Sequence, residues 1–159
     1  MKEEELQNII YELLSTGMYK SNIKNLNEVV SILRKIHFDV VEWYDKSCYI
    51  LVSTGGNQEL ILGYNEEENK EIIEIFEKII FDKEVQGNLL SLLVENDWLS
   101  IDENNKYILG KRALVIFKNK ILEADGIYKK CKFCEFLVRR EEAHDYCQKI
   151  FDEKNCLLN

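Results

Sequence analysis

The chain has 159 residues, 46 % of them apolar and 31 % charged, with a formal net charge of −8 and no proline. That length fits one ordinary domain or two to three very small ones. No apolar run approaches the ~18–20 residues that span a bilayer, and an acidic chain is a poor footing for binding nucleic acid alone, because duplex affinity rests on neutralising phosphates. The opening MKEEELQNII lacks the basic-then-apolar layout of a secretory leader. The expected setting is therefore cytosolic or nuclear, where a Cys-x-x-Cys pair serves metal or redox chemistry more readily than a disulfide.

In chain order, Leu6, Ile9, Ile10, Leu13 and Leu14 recur at helical spacing and predict a helix over 4–16, stopped by Gly17. NLNEVVSILRKI predicts a second helix over 25–36, with a short one from Ser21 as an option. FDVVEWY (38–44) and SCYILVST (47–54) read as strands joined at Asp45-Lys46, and ELILGY (59–64) reads as a third after Gly55-Gly56. Helices followed by a hairpin suggest a winged helix-turn-helix unit.

The order then repeats. Asn65 with Glu68 three residues on resembles a capping box, and Ile72, Ile73, Phe76, Ile79 and Ile80 form the buried stripe of the helix it opens. A helix is predicted over 85–98, ending near Asn96, then a small hairpin of WLSI and KYIL around Asp102–Asn105, then a closing helix over 110–124. The expected organisation is α+β, mainly α. Two tandem winged-helix domains (1–64 and 65–126) precede a small zinc-binding domain (127–159).

That last segment holds Cys131-Lys-Phe-Cys134, nine residues, then His144-Asp-Tyr-Cys147. Structural zinc takes four Cys or His ligands in a tetrahedron. A Cys-x-x-Cys turn presents two sulfurs to one ion, and His144 and Cys147, three apart, share a helix face. The segment 144–154 reads as helical, with Tyr146, Cys147, Ile150 and Phe151 inward, and the nine intervening residues can form a strand pair. Lys129, Lys130, Lys132, Arg139 and Arg140 lie close enough in sequence to offset a site of net −1. The alternatives are reduced core cysteines, a redox pair, or Cys156 replacing His144 as fourth ligand. A closed four-ligand site is structural, not catalytic.

ENDWLSIDENNKYILGKRAL, about fifteen residues, then CKFC, resembles the non-SMC element one family, the RING-like subunit of the Smc five–six complex. Trp98–Leu114 carries the most specific part, and ELQNIIYELLSTG and the strand-rich middle follow the family in order and length. The resemblance implies two winged-helix domains and a RING-like zinc domain with eight ligands in two sites. Cys131, Cys134, His144 and Cys147 match the first site. Residues 135–143 hold no cysteine, and CLLN retains only Cys156, so the expectation is a degenerate RING with a single structural Zn²⁺. RING-type ubiquitin ligases use two loops, one around each metal site, so a ligase activity is not expected. A MAGE-like subunit and the kleisin subunit are the implied partners. The implied setting is nuclear DNA repair, with DNA contacted indirectly through the complex and no membrane involved. A partner-dependent ubiquitin ligase and a winged-helix and zinc subunit of a transcription machine are the alternatives.

Elsewhere the chemistry is bland. His37 reads as a packing or surface histidine and Cys48 as core, while Trp43 and Trp98 read as anchors of the two units. Gly55-Gly56 is a turn without the Gly-Lys-Ser/Thr of a phosphate loop. Glu66–Glu68, Glu71, Glu74 and Glu77 are a solvated helix face whose first members suit the helix dipole. No catalytic residue is expected.

Overall fold

α1 (Glu3–Thr16) carries Glu3, Glu4 and Glu5 in its first turn, where acidic groups complement the helix dipole, and buries Ile9 and Leu13. It stops at Gly17, whose left-handed backbone (φ 78°) lets its N–H donate to the Leu13 carbonyl at 2.8 Å. The structure is a computed structural model that describes residues 2–55, 61 and 63–158, the last two by backbone alone. It divides the chain into two compact units, Met1–Asn69 and Lys70–Asn159.

In the first unit, β1 (Met18–Tyr19), α2 (Leu26–Arg34), β2 (Phe38–Glu42) and β3 (Tyr49–Ser53) follow α1. The antiparallel sheet has the order β1-β3-β2, with Met18 opposite Ile50 and Val40 opposite Leu51. Ile9 and Leu13 of α1, Val29 and Leu33 of α2, Tyr49 of β3 and the loop residue Ile23 make the core. This is the winged-helix order. The optional helix from Ser21 does not form; residues 21–25 are bends and turns that deliver Ile23 inward. The β2–β3 turn is closed by Asp45, whose Oδ1 accepts the Ser47 N–H at 3.0 Å, and by Lys46 in the left-handed region (φ 63°). Trp43 and Cys48 are buried, as anchor and core residue. The third strand anticipated over 59–64 lies largely outside the described residues.

α3 (Glu66–Ile80) opens on a reciprocal capping box. The Glu68 N–H donates to Asn65 Oδ1 at 2.8 Å, and the Asn65 N–H to Glu68 Oε1 at 2.9 Å. One turn on, Asn69 is buried, 3 % exposed, although its side chain is polar. Its Oδ1 accepts the Ile61 N–H at 2.7 Å, and its Nδ2 donates to the carbonyls of Tyr64 and Asn65 at 3.0 Å. One amide thus holds the chain entering the helix.

In the second unit the buried stripe of α3 is Ile72, Ile75, Phe76, Ile79 and Ile80; Ile73, anticipated inside, is 45 % exposed, and Ile75 takes its place. The helix predicted over 85–98 contracts to α4 (Leu90–Glu95), because Gly87 adopts φ 147°, incompatible with a helix. β4 (Leu99–Ile101) and β5 (Tyr107–Leu109) form the anticipated wing. Asp102 Oδ1 caps its turn, accepting the N–H groups of Asn104 and Lys106, both at 2.9 Å. The closing helix breaks at Phe117 (φ −103°, ψ 19°) into α5 (Lys111–Ile116) and α6 (Lys118–Ala124). The break brings the Phe117 ring within 5.9 Å of Phe76 and 6.0 Å of Trp98, centroid to centroid. Arg112 lies over the Trp98 ring, its guanidinium 4.2 Å from the ring centre.

Replacing Asn69 by alanine leaves the Ile61 N–H and the carbonyls it serves without that partner in a buried setting. The expected cost is about 2 kcal/mol, measured as a lowered urea midpoint for the first unit, with the slope unchanged.

Candidate metal centre

Two short strands and one helix build the centre. β6 (Tyr128–Lys130) runs into Cys131, and β7 (Leu137–Arg139) returns antiparallel, with Tyr128 opposite Arg139 and Lys130 opposite Leu137. The Cys131-x-x-Cys134 turn therefore sits in the connection between the strands. The nine residues between Cys134 and His144 supply one strand of the pair and not both, because the partner strand lies before the first cysteine. The Cys131 N–H donates to the Phe136 carbonyl at 2.9 Å and the Lys132 N–H to the Glu142 carbonyl at 2.8 Å, closing the loop. His144 immediately precedes α7 (Asp145–Leu158), and Cys147 falls in its first turn.

The four side chains converge. One sulfur from each of Cys131, Cys134 and Cys147 and one nitrogen of His144 all lie within 4.8 Å of one another. A tetrahedral ion with bonds of about 2.3 Å to sulfur and about 2.0 Å to nitrogen would need edges of roughly 3.5–3.8 Å. His144 Nδ1 stands 3.4 Å from Cys134 Sγ and 3.7 Å from Cys147 Sγ. Its other nitrogen, Nε2, lies 3.0 Å from the Leu137 carbonyl oxygen. A carbonyl only accepts, so Nε2 carries the hydrogen and Nδ1 is left with its lone pair toward the sulfurs. This is the outer support that a ligating histidine requires. The side chains present are arranged to bind a metal ion, and three sulfurs with one imidazole suit a soft or borderline divalent ion.

The electrostatics of the metal-free cluster agree. Burial and the neighbouring Cys134 and Cys131 thiols push Cys147 up to about 12. Burial also raises Cys134, with the Cys131 thiol adding to it and the Phe136 backbone opposing. For Cys131 burial again works upward, but backbone N–H groups, first that of Phe133 at 3.4 Å, outweigh it and the thiol is lowered. Clustered sulfurs thus resist becoming thiolates together unless a cation joins them.

Cys156 is exposed on α7 and stands outside the cluster among the described residues. Of the inward face anticipated for that helix, Cys147 and Ile150 are half-buried, whereas Tyr146 and Phe151 are about two-fifths exposed (41 % and 43 %). Phe151 stacks on Phe133, centroids 4.7 Å apart. The basic residues do not turn to the sulfurs as a group. Lys130 meets Glu135 at 3.0 Å, Arg139 meets Asp82 at 3.2 Å and Asp102 at 3.7 Å, and Arg140 pairs with Asp82. His37 is exposed at a left-handed position (φ 65°), and Glu66, Glu67, Glu74 and Glu77 are exposed along α3.

Sequence periodicity gives no sign of what fixes the hairpin to the rest of the second unit. The Ile127 N–H donates to the Ile80 carbonyl at 2.8 Å, and the Leu109 N–H to the Tyr128 hydroxyl at 3.0 Å. Gly126 lies so close that a Cβ there would collide with the Ile80 backbone. Asp82 joins the hairpin from 57 residues before Arg139, too far for any local pattern to reveal.

No family model matches the chain, and no curated protein matches it. Its fold does match that of a chain in a solved structure, the Nse1-Nse3-Nse4 complex. The TM-score is 0.68 over 96 % of this chain and 92 % of that one, at 17 % sequence identity. At that identity the likeness establishes a shared fold.

The thiols define a pH dependence. Cys134 and Cys147, both raised, are protonated in the metal-free chain at pH 7. Metal binding must expel at least those two protons, so affinity rises with pH and is lost as pH falls. Apparent zinc affinity, measured by chelator competition, should drop by at least about a hundredfold per pH unit below 7. Cys131→Ser should abolish tight binding.

Proposed function

We propose that this chain is an assembly subunit of a Smc five–six-type chromosome maintenance and DNA repair complex, of the non-SMC element one family, with one structural zinc and no catalysis of its own. The observation that carries the proposal is the likeness of fold, along nearly the whole of both chains, to a chain of the Nse1-Nse3-Nse4 complex. The stretch Trp98–Leu114 adds sequence support: its tryptophan is the buried anchor of the second unit, and Gly110 within it packs against the backbone of Asp97 and Leu99. The partners are a MAGE-like subunit and the kleisin, and the setting is the nucleus. With a net charge of −8, the chain reaches DNA through other members of the complex.

Zinc is the proposed ion because Cys131, Cys134, Cys147 and His144 are its usual structural donor set, and four protein ligands leave no open position for water or substrate. When bound it would tie the hairpin to the start of α7. The ubiquitin ligase reading is weaker. Residues 135–143, where a second metal site would take ligands, carry no cysteine and contribute β7.

Co-expression with a MAGE-like subunit and a kleisin should yield one complex on size exclusion, with one zinc per chain by elemental analysis. Folded proteins that elute apart would overturn the proposal. The same complex, given ubiquitin with activating and conjugating enzymes, should build no chains above background; chain formation that Cys131→Ser removes would restore the ligase reading.

A further inference from the structure

The metal centre is supported from outside by a cluster of charges that also holds the wing. Asp82, just beyond α3, receives Lys106 just before β5, Arg139 at the end of β7, and Arg140. Asp102, in the turn of the wing, receives Arg139 at 3.7 Å. The cluster is half-buried, with the Asp82 side chain 26 % and Arg139 24 % exposed. Two carboxylates therefore serve three cations. Arg139 is already short of acceptors, since its Nε is buried without one among the described residues.

Arg139 lies two residues beyond Leu137 on the same short strand. Leu137 supplies the carbonyl that sets the tautomer of His144. One short strand thus connects the metal ligand to the wing. We infer that Asp82 is a positioning residue for the metal centre, and that metal retention and the order of the β4–β5 wing are coupled through it. The inference rests on the metal-binding reading of the four ligands. Without the Asp82 charge, Lys106, Arg139 and Arg140 repel one another around Asp102 alone, and the end of β7 loosens. The Leu137 carbonyl then no longer holds His144 in one orientation. Coupling is reciprocal: whatever the cluster contributes to metal affinity, the metal returns to the cluster.

The test uses the full chain loaded with zinc. Zinc transfer to a colorimetric chelator is timed for wild type, for Asp82→Asn, and for Ile72→Val, a core truncation that lowers stability without touching the cluster. Amide exchange of Leu99–Leu109 is followed with and without zinc. Asp82→Asn should release zinc about tenfold faster, while Ile72→Val keeps the wild-type rate. Zinc removal should speed exchange in the wild-type wing and leave the Asp82→Asn wing unchanged. Equal release rates for wild type and Asp82→Asn, or a wing indifferent to zinc in the wild type, would overturn the coupling. Failure of the wild-type chain to take up zinc at all would instead overturn the metal-binding reading.

Discussion

Three sulfurs and an imidazole nitrogen within 4.8 Å of one another form an arrangement that only a cation makes comfortable. As thiols they crowd, even with the Phe133 N–H donating to Cys131 Sγ at 3.4 Å; as thiolates they repel. The segment after Ile127 also turns Tyr128, Leu137 and Val138 inward. β6 and β7 have three residues each, too little for a hairpin to stand alone in water. The first turn of α7 is pinned by Cys147 and His144, and its far half, 151–156, is exposed. The hairpin and helix owe their geometry to the ligand cluster on one side and to the second unit on the other.

The attachment to the second unit is of a different chemical kind. It combines the Ile127 N–H donating to the Ile80 carbonyl, the Leu109 N–H donating to the Tyr128 hydroxyl, a glycine with no room for a side chain, and partly buried ion pairs around Asp82. Such pairs gain strength from incomplete solvation but demand exact balance. Wing and hairpin are thus joined within the second unit by contacts of several kinds, in keeping with a chain whose proposed work is to be gripped by partners.

Much of this was legible in the sequence, for physical reasons. The capping box at Asn65 and Glu68, the stop at Gly17 and the ligand spacing are short-range patterns that operate through the chain's own geometry. The wing hairpin was legible because Asp102 organises its turn locally. What was hidden depends on distant partners. β1 has only two residues and exists because β3 pairs with it. The break at Phe117 answers to rings at Phe76 and Trp98. Ile73 and Ile75 sit on opposite margins of the stripe, so tertiary packing and not periodicity chose between them. Arg139 and Arg140, which the sequence alone suggests as a counterweight to the metal site, pair instead with Asp82.

The separations along the chain carry a further consequence for the order of events in folding. All four ligands fall between Cys131 and Cys147, so closing the loops that bring them to one ion costs little chain entropy. The contacts that seat the hairpin reach back to Ile80 and Asp82, the latter across 57 residues to Arg139. If it binds an ion, the unfolded chain can therefore gather the four ligands early, while the second unit is still disordered, and dock the hairpin late. The ion would serve first as a nucleus for the last segment of the fold and only afterwards as its fastening.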